Sequence, residues 1–260
     1  MSHAPANSPT ALPALSTQGL DKSFGSLVVA KDISISVPQG ARYALIGPNG
    51  AGKTTLINLI TGMLHPDAGR IRLGEEDITS LKPHQRVARG LVRTFQITTL
   101  FPQLNALEAV TLAVCERRGL AGNFWRRLPD FPDAIDEAHA ILASLSLSRD
   151  ATRPTRELAY GQQRLLEIAL ALATKPKVLL LDEPAAGVPR DDSAELFAAI
   201  AGLPSDITVL FIEHDMNLVF KFASRIIVMV AGTILVEGTP QEIQTDPRVR
   251  EVYLGGAHHG

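Results

Sequence analysis

Apolar and polar residues alternate at Ile33, Ile35 and Val37, the two-residue period of a strand with one buried face. Pro38, Gln39 and Gly40 turn the chain into RYALI (residues 42–46), a short, mostly apolar run that suits a buried strand. The period then lengthens. Over residues 53–64, Leu56, Ile57, Leu59, Ile60 and Leu64 recur at helical spacing, weakened by Gly62 and stopped by Pro66. Residues 71–73 and 92–95 read as short strands. Helical patterns follow at 106–115, 133–145 and 162–173, with the irregular stretch GLAGNFWRRLPDFP between the first two. Strand and helix then alternate again. The run VLLL at 178–181 has the continuous apolar character of a parallel strand covered on both faces. A helix at 191–201, a strand at Thr208–Ile212, a helix at Met216–Phe222 and a strand at 226–230 complete the series. No repeat is present. The pattern predicts an α/β domain with a mainly parallel sheet and a helical subdomain inserted in its middle.

Composition narrows the class. A chain of 260 residues fits one domain with an insertion and can bury a large core without staples. Its single cysteine, Cys115, excludes an internal disulfide framework and reads as a small core residue on an apolar helical face. The formal net charge of -2 argues against a general nucleic-acid binder. No apolar stretch approaches the ~18 residues of a bilayer span. The best candidate, residues 226–236, is broken by Gly232 and reads as two buried strands. The N-terminal MSHAPANSPTALPALS lacks the charged start and apolar middle of a secretion signal and reads as a disordered leader. A cytoplasmic protein, held at a membrane only through partners, is expected.

Two motifs carry chemistry. Gly47-Pro48-Asn49-Gly50-Ala51-Gly52-Lys53-Thr54 fits G-x-x-x-x-G-K-[ST] and lies between a buried strand and a helix. Glycines let successive N–H groups turn inward around phosphate oxygens, and the helix N-terminus adds its positive dipole end. Lys53 supplies a point charge, Thr54 a hydroxyl for Mg²⁺, and Thr55 continues the first turn. A chance match in this length is on the order of one in a hundred. Downstream, Leu179-Leu180-Leu181-Asp182-Glu183 puts two carboxylates at the carboxyl end of a buried strand, the edge where open α/β sheets bind ligands. Asp182 is the candidate Mg²⁺ holder through coordinated water, and Glu183 the group that activates an attacking water.

These residues resemble the ATP-binding subunit of an ABC transporter, from about Leu15 to Gly255. Three more elements match in order: Gln96 in RTFQ resembles the Q-loop glutamine, Leu158-Ala159-Tyr160-Gly161-Gln162 the signature motif, and His214 in FIEHDM the switch histidine. RTFQITTLF, LAYGQQRLLEIALALA, DEPAAG and the closing EGTPQEIQTDPRVREVYLG are similar to the branched-chain (hydrophobic) amino acid importers. The resemblance implies a P-loop NTPase core (15–96 and 164–255) with an antiparallel β subdomain and a helical insertion (97–163), a leader at 1–14 and a tail at 256–260. ATP and Mg²⁺ are the implied ligands. Gln96 would reach the metal or water, His214 would sense the γ-phosphate, and Phe24 would stack on adenine. Tyr160, Gly161 and Gln162 would form a second anion site that closes over the ATP of another subunit, identical or paralogous. Two separate permeases, and indirectly an external solute-binding protein, are the implied partners at the cytoplasmic face of the membrane. Related subunits serve urea, short amides or other small solutes, and soluble non-transport ABC ATPases are a further alternative.

The sequence also departs from the pattern. Ala159 stands where many signatures have serine, and Ala186-Gly187-Val188-Pro189 stands where many members have Ser-Ala-Leu-Asp. Phe124, Trp125, Arg126 and Arg127 read as a solvated loop with buried anchors. His258 and His259 read as part of a disordered tail.

Overall fold

The computed structural model describes residues 12–94, 102–120 and 130–254. Two sheets organise the chain. A six-stranded sheet has the order β10-β9-β3-β8-β7-β6, formed by Arg42–Ile46 (β3), Leu91–Arg93 (β6), Val178–Asp182 (β7), Thr208–Ile212 (β8), Arg225–Val230 (β9) and Thr233–Gly238 (β10). All neighbours pair in parallel except β10, which runs antiparallel to β9 at one edge. A four-stranded antiparallel sheet, order β2-β1-β4-β5, joins Pro13–Phe24 (β1), Leu27–Pro38 (β2), Ala68–Leu73 (β4) and Glu76–Asp77 (β5).

Alternation along the parallel strands assigns side chains to two cores. Leu179 and Leu181 of β7 share one cluster with Val209 and Phe211 of β8 and with the helices. Val178 and Leu180 join Leu210, Ile212 and Leu45 in the other, which faces the first helix, α1 (Lys53–Thr61), and the antiparallel sheet. The unbroken VLLL run is thus a strand buried on both faces. Each fully buried Leu or Ile contributes roughly 1.5–3 kcal/mol of transfer free energy.

Helix α2 (Pro83–Ala88) precedes β6, and α3 (Ala106–Arg117) and α4 (Pro132–Ser144) lie between β6 and α5 (Tyr160–Ala173). Helix α3 starts with a reciprocal cap: the Glu108 N–H donates to Asn105 Oδ1 at 2.8 Å, and the Asn105 N–H to Glu108 Oε2 at 2.9 Å. Val110, Val114, Ala138, Leu142 and Leu166 pack into the cluster that covers Leu179 and Leu181, so the helical region shares its core with the sheet. Cys115 is buried there too. Helices α6 (Arg190–Ala201) and α7 (Met216–Phe222) complete this layer, and α8 (Pro240–Thr245) and α9 (Pro247–Leu254) follow β10.

The structure corrects the sequence reading at several points. Helix α1 ends at Thr61, not at residue 64, because Gly62 adopts the left-handed region with φ 79° and donates its N–H to Leu59 O. The buried Arg86 closes this end, donating from Nη1 to the carbonyls of Leu59 (2.8 Å) and Ile60 (2.6 Å). A Cβ at Gly62 would lie 2.8 Å from Arg86 Nε, so the position takes glycine for two reasons. Of the two strands at 226–236, only β9 is buried, whereas β10 is a half-exposed edge strand. Strand β1 pairs from Pro13 onward, so the first strand begins inside the stretch read as a leader. It was hidden because register shifts interrupt its pairing with β2 and blur the two-residue period.

Candidate functional site

The parallel strands deliver their carboxyl ends to one edge. Strand β3 occupies the centre, and the loop that follows it, Gly47 to Gly52, leads into α1. The loop is packed tightly. A Cβ at Gly47 (φ 154°) would lie 2.2 Å from Met229 O, and one at Gly52 (φ 101°) 2.5 Å from Val29 O. Only glycine lets the backbone pass so close. Within the loop Pro48 is half-buried and Asn49 and Gly50 are exposed, while Ala51 is buried. The first intrahelical bond of α1 runs from the Leu56 N–H to Gly52 O, so the N–H groups of Lys53, Thr54 and Thr55 have no helical partner. They and the helix dipole form a positive concavity. Lys53, only 7% exposed, folds over the loop and donates from Nζ to Gly47 O (2.7 Å) and Pro48 O (3.1 Å). Burial pulls its pKa down, opposed by Glu183 and Asp182. The Thr54 side chain is exposed and Thr55 is half-buried.

Strand β8 lies beside β3, and β7 beside β8. Asp182 ends β7, and the Glu183 N–H donates to Ile212 O at the end of β8. Glu183 has φ 49°, a left-handed conformation that costs a non-glycine residue on the order of 1–3 kcal/mol and concentrates at functional sites. His214 Nε2 donates to Glu183 Oε1 at 2.9 Å. Between Ile212 and His214 sits Glu213, which is 5% exposed. Its carboxylate accepts from the N–H groups of Ala185 (2.9 Å) and His214 (3.0 Å). Desolvation raises its pKa, and those backbone donors, with that of Asp215, oppose the rise. Glu213 therefore ties the turn after β7 to the turn after β8. Sequence reasoning passed over it, although an acid between a buried strand and a candidate histidine is a readable signal.

Arg93 was passed over too. At the end of β6, its Nη2 pairs with Asp182 Oδ2, and its Nη1 donates to Asn58 Oδ1 on α1 at 2.8 Å. Asp182 Oδ1 has no hydrogen bond among the described residues.

The expected Tyr160, Gly161 and Gln162 form the first turn of α5. Gln162 accepts the Ala159 N–H on Oε1 (3.0 Å) and donates from Nε2 to Asp150 Oδ2 (2.7 Å), so its side chain fixes the helix entry. Tyr160 donates to Ala186 O at 3.3 Å and accepts from Arg164 Nη2 at 2.8 Å. This links the signature segment to the loop three residues beyond Glu183. Gly161 is buried, and an added Cβ there would lie 3.3 Å from Asp192 Cβ.

Phe24, half exposed, ends β1 on the hairpin with β2, whose Val29 carbonyl abuts Gly52. Lys22 Nζ lies 5.6 Å from its ring centroid. On the C-terminal helix α9, Tyr253 is 40% exposed; its partial desolvation raises the phenol pKa to about 12, opposed by the Gly47 N–H. No sequence pattern pointed to that contact. Gln96, Phe124, Trp125, Arg126, Arg127, His258 and His259 lie outside the described residues. Among the described residues, no three His, Cys, Asp or Glu side chains gather as a metal cage, and no helix is long and apolar enough to cross a membrane.

Sequence relatives match this arrangement. The family described as ABC transporter matches residues 30–186, more than half of the chain and the whole span from the phosphate loop to the turn after Glu183. The chain belongs to the ABC transporter ATP-binding family. The family described as branched-chain amino acid ATP-binding cassette transporter matches residues 233–259, the segment that carries Tyr253. The cassette is 41% identical over 254 residues to the high-affinity branched-chain amino acid transport ATP-binding protein BraF of Pseudomonas aeruginosa, covering 94% of this chain and 99% of that one. It is 40% identical over 255 residues to LivG of Escherichia coli, with the same coverage. Among solved structures, the ADP conformation of MJ1267, an ATP-binding cassette of an ABC transporter, superposes with a TM-score of 0.82 at 34% identity, covering 94% of this chain and all of that one. The dimeric cassette MJ0796 shares the fold, with a TM-score of 0.70 at 23% identity, 87% of this chain and 98% of that one.

Proposed function

We propose that this cassette binds and hydrolyses ATP to drive uptake of branched-chain or other hydrophobic amino acids through separate membrane permeases. The observation that carries the reading is the match to branched-chain amino acid transport ATP-binding proteins along nearly the whole chain, at 41% identity. The C-terminal segment, with its own match to that branch, supports it.

The residues suggest how ATP would be handled. Backbone N–H groups of the Gly47–Thr55 segment would hold phosphate oxygens, with Lys53 as the point charge on the outer phosphates. Phe24 offers a face for the base. The donor set fits Mg²⁺, a hard cation that keeps several waters and takes one or two carboxylates plus substrate phosphates. Asp182 Oδ1 and the exposed Thr54 hydroxyl are of that kind, and Gln96 would join them. When bound, the metal neutralises charge on the phosphates. Glu183 would orient and polarise the attacking water, and His214, hydrogen-bonded to Glu183, would sit where the γ-phosphate departs. Tyr160, Gly161 and Gln162 would present backbone N–H groups to the nucleotide of a second ATP-binding subunit, identical or paralogous, with Gln162 acting through the shape of the helix start. Two permeases at the cytoplasmic face of the membrane would receive the motion, and an external solute-binding protein would deliver the solute.

Uptake tests this reading. Cells lacking this subunit should lose accumulation of labelled leucine, isoleucine and valine and regain it with the wild-type chain. Unchanged amino acid uptake, with loss of urea or short-amide uptake instead, would contradict it.

A further inference from the structure

Arg93 stands between the two elements that offer oxygen donors for a metal. Asp182 ends β7, and Thr54 lies in the first turn of α1. Asn58 is four residues after Thr54, one turn along the same helix face. The guanidinium spans the gap: Nη2 pairs with Asp182 Oδ2, and Nη1 donates to Asn58 Oδ1 at 2.8 Å. The ion pair is largely shielded, with side-chain exposures of 15% for Arg93 and 10% for Asp182. Pairing of β6 with β7 fixes Arg93 opposite Leu180, and the Thr94 N–H donates to Leu180 O, so the arginine is aimed from a rigid edge. Only one carboxylate oxygen is engaged. Oδ1 is left without a hydrogen bond among the described residues.

We propose that Arg93 is a positioning residue for nucleotide-bound Mg²⁺, holding Asp182 Oδ2 and Asn58 together so that Oδ1 and the Thr54 hydroxyl keep a fixed spacing. The inference rests on the assignment of Asp182 and Thr54 to the metal. Outer partners of ligating groups are worth on the order of 10–100-fold in metal affinity. Lysine could not replace the arginine, because a single ammonium lacks the rigid fork that serves both partners.

The sign of the effect separates this role from simple charge balance. An arginine acting only as a nearby positive charge repels Mg²⁺, so its removal would tighten the metal. An arginine that orients the carboxylate does the opposite. The test is binding of a fluorescent ATP analogue to the full-length protein, measured in EDTA and across a Mg²⁺ titration. For Arg93→Gln, the half-saturating Mg²⁺ concentration should rise about 10–100-fold, while nucleotide affinity in EDTA stays at the wild-type value. Arg93→Lys should recover only part of the loss. Asn58→Ala, which keeps the ion pair but frees its anchor, should shift the midpoint in the same direction by a smaller factor, and it carries the test if Arg93→Gln does not fold. A midpoint that is unchanged or lower in the variants overturns the proposal. Wild-type protein whose nucleotide binding ignores Mg²⁺ overturns the metal assignment beneath it.

Discussion

His214 Nε2 donates to Glu183 Oε1 across 2.9 Å, although the two residues belong to turns after different strands. The backbone sets up the meeting. The Glu183 N–H is held by Ile212 O, and buried Glu213 accepts from the Ala185 and His214 N–H groups on either side. The imidazole is thus a fixed partner of the carboxylate that is proposed to act on water.

That relationship makes His214→Ala informative. The variant should keep ATP affinity, because the phosphate loop is intact, and lose turnover by on the order of 10²-fold, the usual cost of removing one preorganised donor. Phosphate release and nucleotide binding on the same preparation check this. A large fall in affinity with unchanged turnover would place His214 in binding instead.

Tyr160→Phe should uncouple the start of α5 from the turn after β7. The ring stays beside Arg164, but the hydroxyl that donates to Ala186 O and accepts from Arg164 is gone. A loss of about 1 kcal/mol in urea unfolding is expected. Turnover should fall several-fold with little change in KM, because the segment is proposed to act on the nucleotide of a second subunit. A KM effect alone would contradict the coupling.

Arg86→Met should destabilise the whole domain. Arg86 is 2% exposed and donates to the carbonyls of Leu59, Ile60, Thr79 and Leu81. Methionine fills the space but strands the Ile60, Thr79 and Leu81 carbonyls, while Leu59 O keeps the Gly62 N–H, at about 1–3 kcal/mol for each that stays unpaired. Chemical denaturation should show a loss of about 3 kcal/mol or more. A variant as stable as wild type would mean that water or a neighbour replaces the guanidinium.

Alkaline titration reports on two phenols. Desolvation raises both the buried Tyr43 and the partly exposed Tyr253 to about 12, with Glu237 adding to the effect at Tyr43 and the Gly47 N–H opposing it at Tyr253. A phenol whose folded pKa exceeds its unfolded value adds stability that is complete below about 10 and is lost as pH rises toward 12. Denaturation midpoints should therefore fall over that window, with a smaller fall for Tyr43→Phe. Absorbance of ionised tyrosine should appear late in the native protein. Early ionisation of both would contradict the packing of β3 and α9.

The parallel core was legible because burial on both faces writes continuous apolar runs such as VLLL, and because a phosphate loop needs glycine at spaced positions. Gly47 and Gly52 prove to be required by packing as much as by ligand access. Strand β1 was not legible, since its bulges break the two-residue period. Arg93, Glu213 and Tyr253 were hidden for a different reason. Each acts through a partner distant in sequence, and nothing in RTFQ, FIEHDM or EVYLG names Asp182, Ala185 or Gly47. The Gln162 side chain caps α5 and meets Asp150, a pairing twelve residues apart that LAYGQ does not announce.

The central claim is that Glu183 activates the water that splits ATP, in a site that grips nucleotide independently of it. Phosphate release by Glu183→Gln, alongside its nucleotide affinity, tests this most directly. Turnover should fall by on the order of 10²–10⁴-fold with ATP still bound as tightly as by wild type. A variant that released phosphate at the wild-type rate would contradict the account.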